Sequence, residues 1–142
     1  MNGTSFHHSG SDISVCIRQE LDIAQARQAA QRLATHVGLS RSQAYRLMTT
    51  VSELGYNLFL HARPGGTVTL SVLSRTSGQA GIEVVAEDQG PGIADLDLAL
   101  LDGYSTNHGL GGGLPGSRRL MDEFCIRSQV GEGTCVVARL WR

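Results

Sequence analysis

The sequence has few cysteines, no excess of basic over acidic residues and no long apolar segment. Its three cysteines form no C-x-x-C pattern, which argues against both a disulfide framework and a zinc site. Lysine and arginine number 12 against 13 Asp+Glu, for a net charge of -1, so the chain lacks the basic excess of a broad nucleic-acid surface. No apolar run approaches the ~20 residues of a membrane-spanning helix. Disulfide-rich, nucleic-acid-binding and membrane-spanning classes are therefore excluded.

The chain has the length and hydrophobicity of one folded domain. It contains 142 residues, of which 41% are hydrophobic and 18% charged, a composition too apolar for a mostly disordered chain. Residues 1–10 are polar and lack the apolar region of a signal peptide. We therefore expect a disordered tail at 1–10, a folded domain at 11–142 and a reducing, cytoplasmic location.

Hydrophobic periodicity predicts five strands and three helices. The predicted strands are 13–17, 67–72, 82–87, 124–129 and 134–141, and the predicted helices are 22–36, 41–62 and 114–123. Ser40 and Gln43 form a capping-box pattern at the start of the second helix. The order βααββ, glycine-rich segment, αββ predicts an α+β fold, a two-layer sandwich with helices over one face of a mixed sheet. Cys125 and Cys135 fall in predicted strands and are expected in the core.

Two polar residues of the second helix lie off its apolar stripe. Glu53 and Asn57 are four residues apart and therefore point the same way. The apolar stripe consists of Ala44, Leu47, Met48, Val51, Leu54 and Leu58. An isolated E-x-x-x-N pair is usually a solvated helix face, so the pair gains significance only if other polar groups converge on it. Gly55 between them is unfavourable in a helix interior, by about 1 kcal/mol relative to alanine.

Asp88 ends the third predicted strand and begins the sequence Asp88-Gln89-Gly90-Pro91-Gly92. It has the same parity as Ile82 and Val84, so it should point toward the core side, where an unpaired carboxylate is costly. Either a ligand or a protein donor should therefore partner it. The alternative is a turn in which the aspartate caps the backbone.

Glycine is concentrated in one part of the chain. Eight of the 18 glycines lie between Gly90 and Gly116, and the last of them lead into a predicted helix. Free N–H groups of a glycine-rich loop and a helix N-terminus together form an anion site suited to phosphates. The Gly-Lys-Ser/Thr ending of a Walker A loop is missing, and no Rossmann unit frames the loop.

These three ordered elements resemble the N, G1 and G2 boxes of the GHKL (Bergerat-fold) ATPases. The matching segments are 53–57, 88–92 and 109–113, and Gly131-Glu132-Gly133-Thr134 resembles the late G-x-G-T segment of that family. The resemblance covers residues 13–142. Segments 101–106 and 113–124 are similar in detail to the anti-sigma-factor-type serine/threonine kinases of bacterial partner-switching (stressosome) modules.

The resemblance implies a role for each matching residue. Glu53 would be the general base, Asn57 would hold Mg²⁺ together with the ATP phosphates, and Asp88 would accept a hydrogen bond from the adenine amino group. The lid over the phosphates would include Ser105 and Thr106. The remaining nucleotide-binding residues implied are Gly90, Gly92, Gly109, Leu110, Gly111, Gly112, Gly113, Leu114 and Thr134.

The resemblance also implies an activity and partners. The expected function is ATP-dependent phosphorylation of serine or threonine in STAS-domain antagonist proteins, with activation of a PP2C-type phosphatase after release. A homodimer is possible, and neither nucleic acid nor membrane is an expected partner. Two alternatives stay open: a nucleotide-gated binding switch with weak or no kinase activity, and an anti-sigma factor.

Overall fold

The computed structural model describes residues 6–62, 65–90 and 113–142. Within these ranges the helices and strands follow the predicted order, and apart from the start of the first strand their ends differ from the prediction by only a few residues. The elements are β1 (Phe6–Ile17), α1 (Glu20–Val37), α2 (Arg41–His61), β2 (Gly66–Arg75), β3 (Ala80–Asp88), α3 (Gly113–Leu120), β4 (Glu123–Gln129) and β5 (Gly133–Trp141).

The five strands form one sheet in the order β1-β2-β3-β5-β4. The α+β two-layer fold is confirmed, but the prediction of a mixed sheet is wrong for the described strands, because all four strand pairs are antiparallel. The physical reason is the number of helices between β1 and β2. A single crossover helix would return the chain for parallel pairing, whereas α1 and α2 run up and down and return it at the end where β1 finished.

The helices cover one face of the sheet, and the core lies between the two layers. Leu47, Val51 and Leu54 of α2 are 0–1% exposed, as the predicted apolar stripe requires. The buried residues that the strands contribute are Ile17, Val68, Leu70, Ile82, Val84, Ala86, Val136, Ala138 and Leu140. In the part of the chain that the structure describes, no helix is long and apolar enough to cross a membrane.

Gly55 has a packing reason. A Cβ atom at this position would lie 3.2 Å from Cγ2 of Ile23 in α1, which is closer than ordinary van der Waals contact. Glycine therefore lets α1 approach α2 closely at the level of Glu53 and Asn57. Ser40 caps the N-terminus of α2, as predicted, since its Oγ accepts the Gln43 N–H at 3.1 Å.

The first strand begins earlier than the sequence indicates. Phe6 pairs with Arg75 at the start of β1, so residues 6–10 are strand and correct the prediction of a tail through residue 10. The Phe6 ring packs edge-on at 5.7 Å from Trp141 and lies 4.7 Å from the Arg139 guanidinium. These long-range contacts hold a segment whose polar sequence shows no alternation.

The face of the sheet away from the helices carries an ion-pair network. Glu83 is 6% exposed, and its carboxylate accepts from Arg139 Nε at 2.8 Å and contacts His8 Nε2 at 3.0 Å. Arg139 also donates to Glu123 at 3.0 Å. Burial opposes the charged form of Arg139, but the hydrogen bonds to Glu123 and Glu83 outweigh it and raise its pKa.

The cysteines lie on this same outer face or at its edge. Cys16 and Cys125 are exposed, and Cys135 is half-buried. The prediction that Cys125 is a core residue is therefore wrong, because β4 is an edge strand and none of the described helices covers its outer face. Burial and then the neighbouring Glu87 carboxylate raise the pKa of the Cys135 thiol.

Candidate active site

Glu53 lies on the side of α2 that faces α3. Arg46, Thr50, Glu53 and Asn57 follow helical spacing along one side, and Arg46 Nε donates to the Leu120 carbonyl of α3 at 2.7 Å. Glu53 is off the sheet-facing stripe, as predicted, but it is only 3% exposed and so is not on a solvated face. A buried carboxylate on this side is the first sign of a functional site, because acidic side chains are rarely buried to this extent.

Asn57 lies one turn beyond Glu53 and is half-buried. Its Nδ2 atom is buried and has no hydrogen-bond partner among the described residues. Buried polar atoms are nearly always paired, so this amide requires an acceptor from outside the described protein. A ligand oxygen beside Glu53 would supply it.

Asp88 ends β3, where it pairs with Gly66 on one side and Thr134 on the other. Its Oδ1 atom accepts the Gly90 N–H at 2.7 Å. The turn predicted as one alternative is therefore present. It leaves the second carboxylate oxygen, for which the described residues supply no hydrogen bond, to accept from a ligand donor.

A short polar row extends from Asp88 across the ends of β5 and β4. Thr134 stands opposite both Asp88 and Ser128 in the sheet register, and the hydroxyls of Thr134 and Ser128 are 2.8 Å apart. Ser128 is absent from the residues predicted by sequence. The sequence contains a signal for it. Ser128 has the same strand parity as Phe124 and Ile126, and the Gly131–Gly133 turn pairs its strand with the strand of Thr134.

A cavity of about 530 Å³ opens at these strand ends, which is within the size range of small-molecule sites. Asp88, Ile126, Ser128 and Thr134 contribute to its lining. Glu87, Arg127 and Glu132 also line it, so the cavity extends around the strand ends to the outer face of the sheet. On the side that faces the helices, its wall combines the apolar Ile126 with two hydroxyls and a carboxylate, and this part suits a flat heterocycle carrying an amino group.

The third element of the predicted site is described only in part. Helix α3 begins at Gly113, and Leu114 is 9% exposed. The remaining glycine-loop and lid predictions lie outside the described residues. They are Gly92, Ser105, Thr106, Gly109, Leu110, Gly111 and Gly112.

The described residues fit a nucleotide with its metal. The free oxygen of Asp88 suits a base amino group, and the unpaired Asn57 amide suits a phosphate group. The side-chain oxygen of Asn57 is of the kind that Mg²⁺ prefers. Among the described residues, no group of three or more His, Cys, Asp or Glu could hold a metal alone, so phosphate oxygens would have to complete its coordination.

Gly133 lies directly against the backbone of Asp88, and its substitution tests the site. Its φ is +115°, and a Cβ atom would overlap the Asp88 carbonyl oxygen. We expect Gly133→Ala to cost about 1–3 kcal/mol of stability through backbone strain. Displacement of Asp88 should also weaken nucleotide binding about tenfold, which corresponds to 1.4 kcal/mol. Thermal unfolding and calorimetric titration with ATP measure the two effects.

Gly131→Ala is the matched control for Gly133→Ala. Gly131 also has a positive φ, of +85°, but a Cβ atom at this position would meet no other atom within 4 Å. The variant should lose stability while keeping wild-type nucleotide affinity. Equal affinity losses in both variants would contradict a specific role for the contact between Gly133 and Asp88.

Comparison with known proteins identifies the class to which this site belongs. Residues 18–140 match the family model described as the histidine kinase-like ATPase domain. The chain therefore belongs to the histidine kinase-like (GHKL) ATPase family, as the ordered Glu53/Asn57, Asp88 and glycine-loop elements predicted.

Within this family the chain is similar to a serine/threonine-protein kinase. It is 44% identical over 128 residues to the serine/threonine-protein kinase RsbT of Bacillus subtilis (strain 168), across 89% of this chain and 95% of that protein. The predictions that the chain belongs to this family and that it is a serine/threonine-protein kinase are therefore confirmed.

Two solved structures share the fold at low sequence identity. The structure of the RsbU and RsbW domains of a Mycobacterium tuberculosis protein has a TM-score of 0.63 and 14% identity, and it covers 94% of this chain and 33% of that one. The SiaB-SiaC complex from Pseudomonas aeruginosa has a TM-score of 0.51 and 13% identity, with coverage of 93% and 89%. At such identities the likeness shows the fold alone.

Proposed function

We propose that the chain transfers the γ-phosphate of Mg²⁺-ATP to a serine or threonine hydroxyl of a STAS-domain protein in a bacterial partner-switching module. The observation that carries this proposal is the pairing of a buried carboxylate, Glu53, with Asn57, whose buried Nδ2 lacks a partner among the described residues. The relative from Bacillus subtilis, a serine/threonine-protein kinase, supports the same reaction class.

The adenine would sit at the ends of β3, β5 and β4. The Asp88 oxygen that does not accept from Gly90 would accept from the adenine amino group. Thr134, whose hydroxyl contacts Ser128 at 2.8 Å, would support the base from the adjacent strand. Ile126 would supply an apolar contact to the ring from the cavity wall.

The triphosphate would extend from this pocket toward α2 and the start of α3. The chain contains no lysine, since all 12 of its Lys+Arg residues are arginines, so no side-chain ammonium group is available for phosphate binding. The N-terminal N–H groups of α3 would bind phosphate oxygens instead, and Asn57 would bind from α2. When bound, Mg²⁺ would neutralise phosphate charge at the reacting centre.

Glu53 would act on the attacking hydroxyl. The hydroxyl proton would pass to the Glu53 carboxylate while the hydroxyl oxygen bonds to the γ-phosphorus. The bond between the γ-phosphorus and the bridging oxygen would break, and ADP would leave with the electron pair. Burial of Glu53 beside Asn57 keeps the base close to the phosphate and restricts water as a competing acceptor.

The cellular setting is part of the same proposal. The kinase would act in the cytoplasm as a stress-response switch: phosphorylation of its STAS partner would release it to bind and activate a PP2C-type phosphatase. A homodimer stays a prediction.

The direct experiment is phosphate transfer from γ-labelled ATP to a purified STAS-domain protein from the same cell. We expect labelling that requires Mg²⁺ and that survives acid but is lost in alkali, as a serine or threonine phosphoester requires. The control replaces the labelled hydroxyl residue of the STAS protein with alanine. Acid-labile label on histidine would contradict the proposed reaction, and ATP binding without transfer would favour a nucleotide-gated binding switch.

A further inference from the structure

Two buried hydroxyl groups lie on the neighbouring helices α2 and α3, which pack against each other. Thr50 and Ser117 are each 0% exposed. Thr50 Oγ1 and Ser117 Oγ are both buried without a hydrogen-bond partner in the described part of the chain. Because buried hydroxyls without partners are unfavourable and rare, two of them on helices that pack together require an explanation.

The register of the two helices places these hydroxyls at the same level. Helix α2 runs toward the sheet end where Gly66 pairs with Asp88, whereas α3 runs away from it toward β4, so the two helices are antiparallel. Arg46 of α2 donates to the Leu120 carbonyl at 2.7 Å, which fixes their alignment at one point. From this contact, Thr50 lies about one turn toward the C-terminus of α2, and Ser117 lies about one turn toward the N-terminus of α3.

The next functional residue along this side of α2 is Glu53. Thr50 and Glu53 are three residues apart and are neighbours on the helix surface, and Ser117 lies within the short helix whose start would bind the phosphates. A contact that joins Thr50 to Ser117 would therefore fix the position of the base relative to the phosphate-binding helix.

We propose that Thr50 and Ser117 share one buried water molecule and act as positioning residues for Glu53. A buried water typically makes about two to four hydrogen bonds to polar groups that have no other partner, and these two hydroxyls supply the smallest number that holds one. The water would hold α3 against α2 at the level of the site. This inference rests on the proposed function for its effect on turnover, but the water itself does not depend on activity.

Two variants remove the hydroxyls while nearly preserving shape, Thr50→Val and Ser117→Ala. We expect each to lower kcat for phosphate transfer about tenfold, because small misplacements of reacting groups have large effects on rate. The Kd for ATP should stay within about twofold, since neither residue contacts the base. The double variant should be no slower than either single one, because both act through the same water. Thr50→Ser and Ser117→Thr should restore turnover.

Ser52→Ala is the matched control. Ser52 is also a buried hydroxyl of α2, at 2% exposed, but its Oγ donates to the Met48 carbonyl at 3.0 Å and accepts from Arg27 of α1 at 3.3 Å. Its loss should reduce stability without changing kcat. In a Glu53→Gln background, Thr50→Val and Ser117→Ala should cause no further loss of turnover.

A second readout requires no turnover. In the full chain, nuclear Overhauser effects from a long-lived water should reach the Thr50 methyl and the Ser117 β-protons, and should disappear in the double variant. Absence of this signal in the wild-type chain overturns the inference, whether or not the chain transfers phosphate. Unchanged kcat in both single variants of an active kinase overturns it as well. A water signal in a chain without phosphate transfer would refute the proposed function and the positioning role together.

Discussion

Replacement of Glu53 by glutamine should lower kcat for phosphate transfer by about 10²–10⁴-fold, the usual contribution of a general base. Glutamine has nearly the same shape and keeps an oxygen acceptor, but it cannot take the proton of the attacking hydroxyl. The affinity for ATP should change by less than about threefold, because the variant removes an interaction made in the transition state. Single-turnover transfer of labelled phosphate at saturating ATP measures the rate without interference from product release.

Glu83→Gln is the matched control for a buried carboxylate. Glu83 is 6% exposed against 3% for Glu53, but it lies on the outer face of the sheet, where it accepts from Arg139 at 2.8 Å. Its replacement should cost about 1.5–3 kcal/mol of stability, the usual worth of a hydrogen bond to a charged group, and should leave kcat unchanged in the folded protein. An active Glu53→Gln enzyme would exclude Glu53 as the base.

Replacement of Asp88 by asparagine should weaken ATP binding by about 10–100-fold, which corresponds to 1.4–2.7 kcal/mol. The Asp88 carboxylate offers two acceptor oxygens, and one already accepts the Gly90 N–H at 2.7 Å. Asparagine keeps a single acceptor oxygen, so its NH₂ group must face either the Gly90 N–H or the adenine amino group. One donor is left unpaired in either orientation. Calorimetric titration with ATP measures the loss.

Asp122→Asn is the control that distinguishes a loss of ATP affinity from a loss of stability. Asp122 also uses its carboxylate as an acceptor for a backbone N–H, that of Trp141 at 2.8 Å, and also contacts Arg46 at 3.3 Å. It lies at the opposite end of the sheet from Asp88. Its replacement should lower stability and preserve ATP affinity. Wild-type affinity in Asp88→Asn would contradict the assignment of the base pocket.

The elements with regular apolar spacing were the predictable part of the fold. The stripe of α2 and the alternation in β2 and β3 identify their own buried faces, because burial of one face is what imposes the period. The strand at 6–10 has no such pattern. It is held by the ring and guanidinium contacts of Phe6 with Trp141 and Arg139, which come from distant parts of the chain and leave no local signal.

The residues that form the site could be predicted from the sequence, but the surroundings of these residues could not. Helical spacing placed Glu53 and Asn57 side by side, and strand parity predicted a partner for Asp88. The burial of Glu53 depends on contacts with other parts of the fold, which residue spacing within α2 cannot indicate. Ser128 was missed for a related reason, since only the pairing of β4 with β5 brings it beside Thr134.

The location of Cys125 and the direction of strand pairing also depend on how the elements are arranged in the fold. An apolar-looking strand position is in the core only if the face that it occupies is covered, and Cys125 faces away from the helices on an edge strand. The antiparallel pairing of β1 with β2 depends on two intervening helices rather than one, a feature of topology that the order of elements already contained. The prediction of a mixed sheet did not take these two helices into account.

The most direct test of the central claim is a crystal structure of the chain with Mg²⁺ and a non-hydrolysable ATP analogue. The proposed site predicts the adenine amino group on the Asp88 oxygen that does not accept from Gly90. It also predicts the metal and phosphates beside Asn57, with the γ-phosphate facing Glu53. A nucleotide bound elsewhere, or one in this cavity with its phosphates directed away from α2, would contradict the assignment of Glu53 and Asn57 and the kinase mechanism built on them.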